Sequence, residues 1–263
     1  MQDRYAGDLG DFLKLGLLRW LVAPSFDAPP HRLGVVWYLA PDESHNADGK
    51  HVAYLDPQSK AGEQLRPLDP DLYDRLTTMM GSGVRSVAQL EAFGVLPAGS
   101  RTFGDVLQFG DLAPNARGAR IDRRRSWVCG SLRATEECSV VFVDPDNGLR
   151  RSDHSTPSHR SKSEKHAYLD ELGPFIERGQ SIVAYHHADR SAPVPIQAER
   201  RMADAAEELG VKPLAAVRAS RGTTRLFLVV PAPAHRDQLR TRLRDLERSR
   251  WADELVVYWA ADR

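Results

Sequence analysis

Ser139–Gly148 reads SVVFVDPDNG. Its first five residues form an apolar, β-branched run that stops abruptly at Asp144-Pro145-Asp146-Asn147-Gly148. A run this short, bounded by turn residues, is the pattern of a strand buried on both faces inside a parallel sheet. Two carboxylates and a carboxamide then stand at its carboxyl end, the side on which open α/β sheets bind ligands. Asp, Asn, Pro and Gly also make ordinary polar turns. The functional reading gains weight because polar clusters recur at two other strand ends.

One is Leu33–Leu39, LGVVWYL, which runs into APDESHNADGKH over 40–51. That segment carries Asp42, Glu43, His45, Asp48 and His51, oxygen and imidazole donors of the kind that hold a divalent metal. Asp42 and Glu43 also suit acceptance of hydrogen bonds from ribose hydroxyls. The other is Ser181–Tyr185, which ends in His186-His187. A pair of histidines at a strand terminus suits proton transfer or metal ligation.

Before the first strand, residues 3–22 open with glycines and become a helix with Phe12, Leu15, Leu18, Leu21 and Val22 on its apolar face. Asp8 or Asp11 caps it. Lys14 falls away from the apolar face, and Tyr5, Asp8, Asp11 and Lys14 crowd around Gly7 and Gly10. Glycine there permits close backbone approach to a ligand. Residues 56–118 read as a helical insertion, with helices over 71–80 and 84–93 and a strand over 102–109. A basic run, Arg117, Arg120, Arg123, Arg124 and Arg125, leads to Trp127 on a helix over 122–136 and suits phosphate positioning. A loop over 150–165 is basic and rich in Ser, Thr and Pro. Helices are expected over 163–177, 195–209 and 235–248. Strands over 214–218 and 223–230 make an antiparallel hairpin across Ser220–Gly222, and 255–259 adds an edge strand.

This order predicts an α/β fold: one domain over 1–263, with a mostly parallel Rossmann-like sheet, a C-terminal antiparallel hairpin and a helical insertion. The chain has 263 residues, with 36 basic and 36 acidic side chains, so bulk charge selects no partner and local clusters must. Two cysteines without metal-ligand spacing fit a reducing compartment. No leader pattern and no membrane-length apolar run is present, which points to a cytoplasmic protein without membrane contact.

The plan of a Rossmann-like sheet closed by an antiparallel strand is similar to that of class I methyltransferases. Two stretches resemble the J-type adenine-N6 methyltransferases of large-subunit ribosomal RNA. That family opens with AG-N-x-A-D-V-L-K-H, and the similar stretch here is Ala6-Gly7-Asp8-Leu9-Gly10-Asp11-Phe12-Leu13-Lys14. Its middle strand ends in D-P-P-Y, where this chain has Asp144-Pro145-Asp146-Asn147. The resemblance implies S-adenosylmethionine as cofactor and a nucleic acid or nucleoside as substrate. Asp144 would accept hydrogen bonds from the target amine. Asp146 and Asn147 stand where the second proline and the base-stacking aromatic are found, so Tyr5 or Trp127 would supply the stacking ring. The catalytic set is then Asp144, Asp146, Asn147, Lys14, Tyr5 and His186, with Asp42 and Glu43 toward the cofactor. A second reading is a metal-dependent nuclease or phosphoesterase holding a divalent ion through Asp42, Glu43, His45, Asp144 and His187. A third is a nucleic-acid-binding protein without catalysis.

Overall fold

The structure, a computed structural model, describes residues 1–25, 28–42, 49, 51–113, 115–151, 158–160 and 163–261. Its centre is a seven-stranded mixed sheet. In chain order the strands are β1 (Leu33–Val36), β2 (Arg101–Phe103), β3 (Val140–Val143), β6 (Ser181–His187), β7 (Ala215–Ala219), β8 (Arg225–Val230) and β9 (Leu255–Trp259). The spatial order is β2-β1-β3-β6-β8-β7-β9. The first four positions pair in parallel, and β8 and β9 run against their neighbours. Two short strands, β4 (Gly148–Arg150) and β5 (His166–Tyr168), form a separate parallel pair at the exit of β3. The whole is compatible with a Rossmann-like α/β fold.

Neighbouring residues of a strand point to opposite faces, and both faces here are covered. Leu33, Val35, Val140, Phe142, Val183, Phe227 and Val229 pack with α1 (Leu9–Val22), α3 (Pro70–Gly81), which follows the short α2 (Lys60–Leu65), and with α4 (Val87–Ala92) and α8 (Arg236–Leu246). Val36, Val141, Val143, Ile182, Ala184, Leu226 and Leu228 pack with α5 (Arg117–Ala134), α6 (Gly173–Glu177) and α7 (Val194–Leu209). Double coverage is why the strand sequences are continuous apolar runs and not alternating ones. Among the described residues no helix is long and apolar enough to cross a membrane.

The structure refines these expectations. The span 56–118 contains helices, but the strand expected over 102–109 covers only Arg101–Phe103, and it joins the main sheet beside β1. The C-terminal antiparallel hairpin is present, with β8 inside the sheet between β6 and β7, and β9 extends the edge. His186 and His187 belong to β6 itself, paired with Leu226 and Arg225. The helix expected over 163–177 is broken up. His166–Tyr168 pair with β4, Leu169–Leu172 form a 3-10 turn, and only Gly173–Glu177 is α-helical.

The buried Arg124 explains that break. Its guanidinium forms a two-pronged pair with Glu171, donates to the carbonyls of Ser163 (3.0 Å) and His166 (2.6 Å), and stacks over the Tyr168 ring. Backbone carbonyls taken up by an arginine are lost to the helical ladder. The chain passes from β1 to β2 on one side and then to β3 on the other. The carboxyl ends of β1 and β3 therefore flank a topological switch point, where open sheets leave a crevice.

Candidate functional site

The site is built from the start of α1. Asp8 is the N-cap, and its Oδ1 accepts from the backbone N–H of Asp11 at 2.9 Å. Asp11 Oδ2 in turn accepts from the N–H of Gly7 at 3.0 Å. The Asp8 carboxylate thus satisfies an orphan donor of the first turn, and that of Asp11 ties the turn back to the residue before the cap. Lys14 lies one turn further. It is buried, contrary to the surface position its spacing predicts, because the first turn of α1 lies over the end of β3. Its Nζ stands 2.6 Å from Asp11 Oδ1 and 2.8 Å from Asp144 Oδ2, above the rings of Trp37 and Phe142. Burial alone would push the ammonium toward neutrality, yet the two carboxylates hold its pKa above the ordinary lysine value. Burial raises Asp11 to about 6 against the opposing pull of Lys14.

The N-terminal residues bridge the ends of β1 and β3. The Met1 amine donates to the carbonyls of Tyr38 (2.9 Å) and Asp144 (3.2 Å), and the Met1 carbonyl accepts from Ala40 N–H at 2.9 Å. Gln2 Nε2 donates to Asp146 Oδ2 at 2.9 Å, and Lys165 Nζ lies 3.3 Å from the same oxygen. Asn147 N–H donates to the Lys165 carbonyl at 2.8 Å, which ties the DPDN turn to the segment leading into β5.

Around this cluster opens a cleft of about 430 Å³, within the range of small-molecule sites. Asp8, Asp11 and Asp146 give it acidic walls; Lys165, Arg225 and His187 oppose them; Tyr5 and Tyr185 supply rings. The Tyr185 hydroxyl lies 3.3 Å from His187 Nδ1. Asp144 Oδ2 is taken by Lys14, whereas Oδ1 accepts no hydrogen bond from a described residue. Arg225 lies across α1 at Gly10, where a Cβ would come within about 2.3 Å of the guanidinium. Only glycine admits this approach. Among the described residues no carboxylate pairs with Arg225.

Of the residues singled out in the sequence, Tyr5, Asp8, Gly10, Asp11, Lys14, His51, Asp144, Asp146, Asn147 and His187 line this one cleft. His186 does not. Its Nδ1 accepts from Leu149 N–H at 3.2 Å, it packs on Gly148, whose φ of +100° favours glycine, and it faces an adjoining cavity. Burial lowers its pKa to about 4. Asp42 is exposed, accepts from Arg4 N–H at 3.2 Å, and lies outside the cleft lining. Glu43, His45 and Asp48 lie outside the described residues, as does part of the 150–165 loop. Trp127 is buried against Tyr38 and Phe103 with its indole N–H on the Asp105 carbonyl, and it lines neither cavity. Three residues of the basic run are tied into the fold: Arg120 binds backbone carbonyls, Arg123 pairs with Asp111, and Arg124 is the clamp on Glu171, while Arg117 and Arg125 are exposed. Among the described residues no three His, Cys, Asp or Glu side chains gather as a metal site. Both cysteines are free, Cys129 exposed and Cys138 buried.

Sequence reasoning missed Tyr185 and Arg225. The available signal was the hairpin: an antiparallel strand beside β6 must begin where β6 ends, and Arg225 is the partner of His187. Compared with known proteins, the chain matches no family model, no curated protein and no solved structure.

Proposed function

We propose that this chain is an S-adenosylmethionine-dependent methyltransferase-like enzyme acting on an amine of a nucleobase, in a nucleoside or a nucleic acid. The observation that carries the reading is Asp144: a buried carboxylate at the carboxyl end of β3 that lines the cleft and is anchored through Oδ2 by Lys14, with no hydrogen bond to Oδ1 from a described residue. A sheet whose parallel half is joined to an inserted antiparallel strand supports it, as does the sequence around Gly7–Lys14.

The cofactor would supply a methyl group on a cationic sulfonium. The lining would suit such a zwitterion: Asp8, Asp11 and Asp146 would hold its cationic groups and Arg225 its carboxylate. Methyl transfer needs in-line placement more than acid–base work, so positioning groups suffice. Lys14 fixes the Asp144 rotamer and offsets part of its charge. Asp144 Oδ1 orients the acceptor amine. Asn147, exposed at the rim, offers a carboxamide to a base edge, and Tyr5 and Tyr185 provide the stacking surface that the turn itself lacks.

Mass spectrometry of nucleosides and short RNA and DNA incubated with the full chain and S-adenosylmethionine tests this. A methylated base is expected, and Asp144→Asn should lower its formation by about a hundredfold or more. Absence of methylated product from every base, or equal rates for the variant, would overturn the reading.

A further inference from the structure

The adjoining cavity, about 410 Å³, opens on the far side of Asn147 and His187, two residues that line both spaces. Its walls come from four separate elements: Arg150 on β4, His166 on β5, His186 on β6, and Arg200 and Arg201 on α7. One acid, Asp189, is among its described lining residues, and that carboxylate is occupied by the N–H of Ser191 at 2.8 Å.

Most arginines in this molecule are clamps on carboxylates or carbonyls. Arg150 and Arg200 are not: among the described residues neither has an ion-pair partner. Arg201 shares its charge with Asp204 at 2.8 Å. Arg150 and Arg200 are exposed and line one concavity, where their charges together favour the entry of an anion. The planar fork of arginine matches a phosphate in two-pronged fashion.

The histidines complete the lining as neutral hydrogen-bonding groups. Because His186 Nδ1 accepts from Leu149 N–H, its neutral ring carries the proton on Nε2, which is a donor. His166 is buried, and its Nδ1 has no partner among the described residues.

We infer that this cavity is a phosphate subsite: it takes a phosphate group of the substrate whose base occupies the main cleft. The inference rests on the nucleobase reading of that cleft for the identity of the substrate, but the anion site itself does not need methyl transfer. The phosphate could belong to a mononucleotide or to a polynucleotide backbone.

Calorimetric titration of the full chain separates these cases, with adenosine, adenosine monophosphate, inorganic phosphate and a short single-stranded RNA as probes. A phosphorylated probe is expected to bind at least about tenfold more tightly than adenosine, with an affinity that falls as salt rises. The double variant Arg150→Gln/Arg200→Gln should remove that advantage and leave adenosine unchanged, while Arg125→Gln, on an exposed face of α5, should change binding less than about twofold. Preference for RNA over the monophosphate assigns the site to a polynucleotide backbone; equal gains assign it to a mononucleotide. Phosphate-dependent binding that survives the double variant, or no binding of any phosphate probe, would overturn the inference. Separate titration with S-adenosylmethionine keeps the two proposals distinct, since its failure with phosphate binding intact removes only the methyltransferase reading.

Discussion

At the scale of the residue, Lys14 governs the site. A buried ammonium between two carboxylates is tolerated because each group satisfies the other, and removal of Lys14 leaves two buried carboxylates without the cation they share. Lys14→Met should therefore destabilise the fold by about 3–5 kcal/mol in urea unfolding. Combined with Asp144→Asn it should be less damaging than the sum of the two single variants, a coupling that a double-mutant cycle reads directly. Additive losses would mean that the pair is not a unit. This burial was not legible in the sequence, where helical spacing put Lys14 outside the apolar face. Its partner Asp144 is 130 positions away, and no local pattern reports a contact of that range.

At the scale of the element, α1 is held by two glycines that do different work. A Cβ at Gly16 would lie about 2.1 Å from the ring of Trp251, a buried side chain with nowhere to go. Gly16→Ala should cost about 1–3 kcal/mol through overpacking. At Gly10 the obstacle is the end of the Arg225 side chain, which can swing aside. Gly10→Ala should leave the melting temperature nearly unchanged but displace the guanidinium from the cleft, weakening a ligand that carries a carboxylate. Thermal unfolding and ligand titration on both variants check the contrast; a large loss of stability at Gly10 would contradict it.

Elements were legible where burial on two faces left apolar runs, as in Val140–Val143 and Arg225–Val230. They were illegible where long-range capture decided the outcome. His166–Tyr168 has only three residues, and its strand state comes from β4 and Arg124 rather than from its own propensity.

At the scale of the molecule, buried imidazoles set the acid stability. Burial holds His31, His166 and His186 at about 4 against an ordinary 6.5. Folding favours their neutral form, so their contribution is complete above about 6.5 and is lost as pH falls toward 4. Asp11 acts in the opposite sense: raised from 3.8 to about 6, it stabilises the fold most at low pH, and that contribution is lost as pH rises through 6. Three groups outweigh one, so the melting temperature should fall between about pH 7 and about pH 4.5. Asp11→Asn, which removes the opposing contribution, should steepen that fall. A wild-type melting temperature that rises on acidification over this interval would be inconsistent with the burial of the histidines.

The same scale explains the site. Three polar strand ends were readable separately in the sequence. Their assembly depended on the order of strands: β3 and β6 are neighbours, so Asp144, Asn147 and His187 meet, while β8 brings Arg225 in from the hairpin. Asp42, in the segment that follows β1, was equally prominent in sequence but accepts from the backbone N–H of Arg4.

The most direct measurement is a calorimetric titration of the full chain with S-adenosylmethionine and S-adenosylhomocysteine. A cleft of opposed acidic and basic walls at the strand ends predicts a single saturable site for both, weakened by Arg225→Gln. No heat from either compound at about millimolar concentration would contradict it.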